Sequence, residues 1–459
     1  MNESRPSEQF QQFQQFQQSN ASRLTAVVIG AGLGGLLTAA QLSLKGYKVT
    51  VLERLSIIGG RFMNIEYQGY QLSTGALHML PHGNRGPLAQ MLQKLGANVT
   101  VIPSVPMATV RIPKNVAETD YKNGFMDIPH VEFKKHLAAK NKMMMVLLTL
   151  GYKIKLIRPK EARFKSWYSR YIQDDRIDRC ADSFSGWALS TTADEVTTEE
   201  MFAIFDNVYK YGGPGIVVGG CKSIIDELVR IIEENGGSVQ PKKEVTGLLM
   251  QEGVCTCVLA GGEEFHADLV VSDIGHKETM EICGSDVEKL DGYAAYAEKL
   301  KAVNPSAGLK ICFAIDEPLI EHGGILLTPY TRRINGMNEV TNADPNLAPP
   351  GKHLIMAHQR TALDRLDFIE EEIDLGLEDL KDLFPGKKPE ILMIQVHHGR
   401  WPVNRAFSGQ DFGNKTPVSN LFIVGDGAKG RGGIEVEGIA LGVENAMSDI
   451  AEWEKSQKK

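Results

Sequence analysis

The sequence has few cysteines and lacks a long apolar segment. Its six cysteines are Cys180, Cys221, Cys255, Cys257, Cys283 and Cys312. They form no CxxC pair and have no neighbouring histidines at zinc-like spacing, so we predict no metal site and a reducing, cytoplasmic compartment. The longest apolar run, residues 143–150, is far shorter than the roughly 20 residues that a membrane-spanning helix requires.

A net basic charge is also absent. The chain has 50 Lys and Arg against 57 Asp and Glu, a formal charge of −7, so we expect no binding of nucleic acid. Residues 134–165 are an exception, with ten Lys or Arg and a single acidic residue, Glu161. These cations flank the apolar run and predict peripheral docking on an anionic membrane surface, at the inner face of the membrane. The alternative is that the apolar residues pack inside the protein and the lysines form a solvated face.

The first 22 residues lack the continuous apolar core of a signal peptide. Phe-Gln-Gln occurs three times between Phe10 and Gln18. We predict that residues 1–22 form a disordered, Gln-rich tail and that the folded part begins after them.

A strand, a glycine-rich turn and a helix follow one another near the start of the folded part. The apolar run at residues 24–29, LTAVVI, predicts a buried strand. The next six residues are Gly30, Ala31, Gly32, Leu33, Gly34 and Gly35. A helical stretch then ends at Gly46, and a second strand, KVTVLE, ends at Glu53. This order is typical of a dinucleotide-binding βαβ unit.

The glycines and the acid of this unit have separate tasks in that fold. Gly30 makes the tight turn, Gly32 lets the backbone approach a pyrophosphate, and Gly35 lets the helix pack closely on the strand. Glu53 is placed to accept hydrogen bonds from an adenosine ribose. These features alone do not distinguish FAD from NAD.

A second group of residues directly follows Glu53. The pair Gly59 and Gly60 brings backbone close to the second half of a dinucleotide. Arg61 supplies a cation for phosphate or flavin carbonyl oxygens. Arg54 either belongs to the same site or is simply solvated.

A third group lies near the carboxyl end. Residues 420–424 predict a buried strand that ends at Gly425 and Asp426, and a helix is predicted over residues 434–450. Asp426 is at a strand end and is suited to bind ribityl or ribose hydroxyls. The alternative is a helix N-cap without a ligand.

Together, ERLSIIGGRF at 53–62 and NLFIVGDGAKGRGGIEVEGIALG at 420–442 resemble the flavin-dependent phytoene desaturase and carotenoid isomerase family, within the flavin amine oxidase-like superfamily. The resemblance extends to residues 207–239 and to EFHADLVVSDIG at 264–275. It implies FAD as the cofactor, with the backbone of Val245 contacting the adenine. No cysteine or histidine attachment motif is evident, so we expect the FAD to be noncovalent.

The resemblance also implies an α/β architecture in which a Rossmann-type FAD-binding domain is discontinuous in sequence. Its segments are residues 24–110, 212–285 and 391–459. An inserted α+β substrate domain consists of residues 111–211 and 286–390. Short apolar runs between turns at 307–360 predict a sheet, which either walls an apolar tunnel or simply packs against helices.

The activity implied by the resemblance is that of an FAD-dependent oxidoreductase. Its substrate would be an apolar isoprenoid chain, carotenoid- or polyprenyl-like, changed by desaturation, saturation or flavin-dependent isomerisation. Two alternatives remain: a flavin amine oxidase, which requires an aromatic cage, and a non-catalytic FAD-binding assembly protein. The single GxGxxG disfavours a second nucleotide domain, and the electron acceptor or donor stays open between a quinone, oxygen, a small carrier and a transient nicotinamide.

Candidates for proton transfer are few. His78 precedes a short apolar run, and His397, His398 and Arg400 lie just before the last predicted FAD segment. A hydrogen-bonded structural histidine is the simpler interpretation of His78. We assign no catalytic acid or base from the sequence.

Overall fold

The structure is a computed structural model that describes residues 23–75, 77–115, 118–154, 156–157 and 162–457. The predicted Gln-rich tail, residues 1–22, lies outside the described residues. Four charged residues of the basic segment, Lys155, Arg158, Lys160 and Glu161, also lie outside them.

The secondary structure alternates between helices and short strands. The strands are β1 (Thr25–Ile29), β2 (Lys48–Leu52), β3 (Asn64–Tyr67), β4 (Tyr70–Ser73), β5 (Met79–Leu80), β6 (Val101–Pro103), β7 (Ala108–Pro113), β8 (Phe125–Pro129), β9 (Gly215–Val217), β10 (Ser238–Gln240), β11 (Val245–Gln251), β12 (Val254–Ala260), β13 (Glu263–His266), β14 (Leu269–Ser272), β15 (Ala307–Ile315), β16 (Ile325–Leu327), β17 (Ile334–Glu339), β18 (His353–Thr361), β19 (Glu390–His397) and β20 (Leu421–Ile423). The helices are α1 (Leu33–Leu44), α2 (Pro87–Leu95), α3 (Ala139–Lys153), α4 (Phe164–Tyr168), α5 (Asp175–Leu189), α6 (Thr198–Tyr211), α7 (Cys221–Glu234), α8 (His276–Cys283), α9 (Tyr293–Lys301), α10 (Ile369–Leu383) and α11 (Glu435–Gln457). Within the described ranges, no helix is both long and apolar enough to cross a membrane.

The first sheet is parallel, with strand order β10-β2-β1-β14-β20. β1 pairs with β2 on one side and with β14 on the other. Residues 26–29 of β1 are all buried, as expected for a strand that is covered on both faces. Helices α1, α2, α7 and α11 contribute side chains to the hydrophobic core on one face of this sheet. The predicted Rossmann-type fold is thus confirmed.

The second sheet has seven strands in the order β19-β15-β18-β17-β16-β7-β8, and the only parallel pair within it joins β16 and β7. Consecutive residues of a strand point to opposite faces. His358 of β18 bonds Ser190 at the end of α5, whereas Gln359 donates to the carbonyl of Glu372 on α10. The sheet is therefore covered by α5 on one face and by α10 on the other, which makes β15 buried along its whole length.

The segment boundaries expected from the sequence differ from the bounds of the two sheets. Strand β7 begins at Ala108 and pairs with β8 and β16, so the boundary after residue 110 divides it. Strand β19 pairs with β15 from Gly308 to Ala314, although residues 391–397 were expected in the FAD-binding domain. Their pairing with β16 and β15, which are far away in sequence, places these two strands in the second sheet.

Candidate active site

A cavity of about 720 Å³ lies between the two sheets and is lined by residues of both. Most residues predicted to bind the cofactor line it: Gly30, Gly32, Leu33, Gly34, Glu53, Arg54, Gly59, Gly60, Arg61, Val245 and Asp426. Ala31, Gly35 and Gly425 do not line it but lie in the same loops. The structure therefore brings the three sequence-distant groups into one site.

The glycine-rich turn is packed too closely for side chains. Gly30 has a φ of +92°, which favours glycine. A Cβ atom on Gly35 would overlap the carbonyl oxygen of Gly30, and one on Gly34 would lie 2.7 Å from the backbone nitrogen of Gly425. The amino end of α1 thereby comes close to β1 and faces the cavity through Gly32, Leu33 and Gly34, an arrangement that favours phosphate binding.

Glu53 is held by the backbone on both sides of its carboxylate. Its Oε2 accepts a hydrogen bond from the Ala31 nitrogen at 2.8 Å, and its Oε1 accepts one from the Leu55 nitrogen at 2.8 Å. The carboxylate therefore fixes the glycine-rich turn, a task that the sequence did not reveal. Each oxygen keeps a lone pair for a ribose hydroxyl, so the predicted ribose contact is compatible with these bonds.

Replacing Glu53 by Gln should weaken FAD binding by about 1 to 3 kcal/mol, because the amide cannot accept both backbone bonds and lacks the charge. Fluorescence titration of the apoprotein with FAD measures this loss. Glu66→Gln, at an exposed position of β3, is the matched control and should keep the wild-type affinity. Equal affinities of the two variants would contradict the role of Glu53.

Arg61 and Asp426 form an ion pair in which the aspartate is buried and the arginine is partly buried. The Nη2 atom of Arg61 lies 2.9 Å from Oδ2 of Asp426, and its Nη1 donates to the carbonyl of Val403 at 2.6 Å. Burial alone would raise the pKa of Asp426, but the guanidinium groups of Arg61 and Arg405 outweigh it and hold the pKa below its usual value. Both side chains line the cavity in charged form. Their predicted contacts with phosphate, flavin or ribityl groups stay predictions.

Asp273 is a site residue that the sequence analysis missed. It directly follows β14, and its carboxylate is enclosed by Gly32, Gly34 and Gly425, none of which has room for a Cβ atom beside it. Burial, aided by the nearby Asp426, raises the pKa of Asp273 to about 7, although the N–H of Gly35 acts in the opposite direction. A carboxyl that keeps its proton close to neutral pH can lie beside phosphates without full charge repulsion. The sequence feature that could have identified Asp273 is its position at the carboxyl end of a parallel strand, where such sheets bind ligands.

A cluster of basic side chains lines the cavity on the side of the second sheet. Lys310 of β15 is buried, and its Nζ donates to Oγ of Ser73 at 2.6 Å. Burial lowers its pKa. Burial also lowers the pKa of His358 to about 4 and that of His397 to about 3, with Lys310 contributing to both shifts. Both imidazoles are therefore neutral at neutral pH. Of the weak sequence candidates, His397 and Arg400 line the cavity, whereas His398 is exposed and does not line it.

His78 is a structural residue. Its Nε2 donates to the carbonyl of Gln71 at 2.8 Å, and its Nδ1 accepts from the backbone nitrogen of Cys221 at 3.1 Å. The side chain is fully buried and does not line the cavity. The simpler sequence interpretation was therefore correct.

Burial lowers the pKa of His78 to about 4, from 6.5. Below about pH 6.5 the unfolded chain binds a proton that the folded chain refuses, so the free energy of unfolding should fall as the pH falls towards 4. Between about pH 7 and about pH 5, wild type should lose about 2 kcal/mol more than His78→Gln. Urea unfolding at both pH values measures this difference. His398→Gln, at an exposed position, should lose as much as wild type, and a His78→Gln curve with the wild-type slope would refute the assignment.

One group with metal-ligand chemistry occurs among the described residues. Ligand atoms of Cys257, Glu264 and His266 lie within 4.8 Å of one another on β12 and β13. None of them lines the cavity. The prediction that the protein has no metal stays a prediction.

The parallel sheet, the glycine-rich turn and the acid after β2 define a dinucleotide-binding protein of the Rossmann type. Residues 33–438 match the model of the family described as flavin containing amine oxidoreductase. The chain belongs to this family, it is an FAD-dependent oxidoreductase, and FAD is its cofactor. The glycine-rich turn and the residues that line the first-sheet side of the cavity fit FAD.

Three known proteins narrow this relationship. The crystal structure of an oxidoreductase from Methanosarcina mazei is similar at 51% identity and a TM-score of 0.90, covering 93% of this chain and 100% of that one. A neurosporene-forming phytoene desaturase of Cereibacter sphaeroides is 28% identical over an alignment of 294 positions, which covers 56% of this chain and 54% of that protein. A chloroplastic prolycopene isomerase of Daucus carota is 24% identical over an alignment of 476 positions, which covers 87% of this chain and 76% of that protein. The chain is thus related to carotenoid desaturases and isomerases.

Proposed function

We propose that this FAD-dependent oxidoreductase acts on an apolar isoprenoid chain, carotenoid- or polyprenyl-like, by desaturation, saturation or flavin-dependent isomerisation. The observation that supports this most is the character of the cavity on the side of the second sheet. Apolar and aromatic side chains cover that side, whereas the residues expected to bind FAD cover the other. A long apolar molecule would therefore lie against the flavin in a site that excludes water.

The apolar lining comes from strands of the second sheet and from helices that share its hydrophobic core. Phe184, Trp187 and Ala188 belong to α5, and Phe205 and Val208 belong to α6. Strands β7 and β16 add further aliphatic residues. Because aromatic and aliphatic side chains offer few hydrogen bonds, such a surface selects a substrate by shape and apolar area.

When bound, FAD supplies the exchange of a hydride with a carbon chain, so the protein needs mainly to position that chain and exclude water. Lys310, His358 and His397 form the polar part of the same wall. We propose that these groups orient the substrate or its polar end. The lowered pKa of His397 leaves its imidazole uncharged but weakly basic, so a hydrogen-bonding role suits it better than a role as proton acceptor.

The amine oxidase alternative has less support. An ammonium group is usually bound beside carboxylates or aromatic rings. The described cavity-lining residues of β7, β15, β16, β18, α5 and α6 include no Asp or Glu to pair with an ammonium, and Lys310 adds a basic group to them. A non-catalytic assembly protein would have no use for the large apolar wall.

We place this activity in the cytoplasm, where the six cysteines, all free in the structure, would stay reduced. The substrate class is tested by mass spectrometry of lipids that copurify with the yellow holoprotein. We expect an isoprenoid, in amounts comparable to FAD, and its mass would count its double bonds. Polar amines bound in its place, or the release of no lipid from protein isolated without detergent, would count against the proposal.

A further inference from the structure

Helix α3 exposes an apolar stripe to the solvent. Met143, Val146, Leu147 and Leu150 follow at intervals of three, one and three residues, so they share one face of the helix. Their exposed fractions are 60%, 56%, 51% and 52%. Among all residues of α3, only Gly151 is buried. An amphipathic helix of a folded protein normally buries its apolar face. Among the described residues, no element covers this face of α3.

Apolar exposure continues past the end of α3. Ile154 is 62% exposed and Leu156 is 80% exposed. The expectation that the apolar residues of the basic segment pack inside the protein is therefore not met for these side chains. The docking surface is our name for this whole patch. It consists of the apolar stripe, Ile154, Leu156 and the exposed lysines Lys134, Lys140 and Lys142.

The lysines of the docking surface are uncompensated. No carboxylate among the described residues lies within ion-pair distance of Lys134, Lys140 or Lys142, whereas the neighbouring Lys135 pairs with Glu132 at 2.9 Å. All three are exposed. A partner with an apolar interior and a negatively charged rim would satisfy both parts of this surface, and an anionic lipid bilayer has this composition.

The docking surface adjoins the cavity. Tyr152 of α3 stacks on Phe202 of α6 with ring centroids 4.1 Å apart. One turn further along α6, Phe205 both lines the cavity and is 41% exposed. Phe133 lines the cavity from the 3₁₀ segment His130–His136, which also includes Lys134.

We propose that the docking surface binds the face of an anionic bilayer and that the cavity opens towards it beside Phe205. An apolar molecule would then pass from the bilayer into the cavity without entering water, a transfer that water would otherwise make very costly. Methionine and leucine side chains adapt to the disordered acyl region, while the lysines remain with the headgroups. The binding itself depends only on α3 and its surroundings, and it holds whichever lipid is the substrate.

Vesicle flotation with the FAD-loaded full chain tests this proposal. The vesicles are phosphatidylcholine alone or phosphatidylcholine with phosphatidylglycerol. We expect the protein to float with the anionic vesicles at low salt and to be released as the salt concentration rises. Lys134→Glu/Lys140→Glu/Lys142→Glu should weaken this binding on the order of 100-fold, since each near-surface cation contributes to it. Leu147→Ser/Leu150→Ser should weaken it with the charge intact.

The matched control reverses three exposed lysines on other elements, Lys299, Lys381 and Lys388, and should bind like wild type. The flavin absorbance of each variant reports that its fold is retained. Failure of wild type to float with anionic vesicles at low salt would overturn the proposal. Binding that neither variant weakens would also overturn it, as would a dimer in light scattering that Leu147→Ser/Leu150→Ser dissociates in the absence of vesicle binding.

Discussion

Gly35→Ala is expected to give a colourless protein with FAD affinity reduced by at least about 100-fold, or about 3 kcal/mol. The added Cβ would overlap the carbonyl oxygen of Gly30 and contact the Asp273 side chain. Helix α1 must then move away from β1, and the backbone N–H groups at its amino end move with it. Those groups are the expected phosphate ligands, so a small displacement removes several hydrogen bonds at once.

The measurement is the ratio of flavin to protein absorbance after gel filtration, followed by titration of the apoprotein with FAD. Gly247→Ala is the matched control, because its new Cβ would meet only Leu259 at 3.5 Å, an ordinary contact. Gly32→Ala is a second variant. Its new Cβ would lie against the Asp273 carboxyl rather than against backbone atoms. If all three proteins are equally yellow, the glycine-rich turn does not hold the cofactor.

Val208→Trp is expected to remove the bound lipid and the turnover of an isoprenoid chain while FAD remains bound. Val208 lines the cavity from α6, whereas the glycine-rich turn lies between β1 and α1. An indole at this position would fill the space of several methylene groups. Since one methylene changes discrimination by about 10- to 200-fold, we expect a loss of at least tenfold.

The readouts are the amount of copurified lipid for each bound FAD and the initial rate with a detergent-dispersed isoprenoid. Tyr209→Trp is the matched control, because the next residue of α6 is 79% exposed and does not line the cavity. Wild-type lipid content in Val208→Trp would show that the apolar part of the cavity is not the substrate site.

The part of the site that could be predicted from sequence is the part that is local in sequence. The βαβ unit spans fewer than thirty residues, from β1 through the glycine-rich turn and α1 to β2. Each of these elements therefore restricts the position of the next. Asp426 was also predictable, because a buried strand followed by Gly-Asp has a recognisable pattern. The structure brings this aspartate to Arg61 across 365 residues of chain, and the pairing itself had no local signal.

The other functional residues depend on contacts that a sequence pattern does not encode. Lys310 is in the middle of an apolar strand, where a single lysine usually indicates an exposed edge, and only the pairing of β15 with β18 and β19 places it inside. Asp273 needed the knowledge that β14 lies next to β1. The expected segment boundaries cut across β7 and β19 for the same reason, since strand partners far away in sequence decide the sheet.

In the proposed activity, the bound flavin exchanges hydrogen with an isoprenoid chain. The most direct measurement is anaerobic mixing of the holoprotein, with oxidised and with chemically reduced flavin, with polyprenyl or carotenoid chains and with amines. We expect one of three results. The isoprenoid bleaches the oxidised flavin and is recovered with two hydrogens fewer, reoxidises the reduced flavin and is recovered with two hydrogens more, or is isomerised with its hydrogen count unchanged. Bleaching by an amine alone, with every isoprenoid recovered unchanged in both redox states, would contradict the proposed activity.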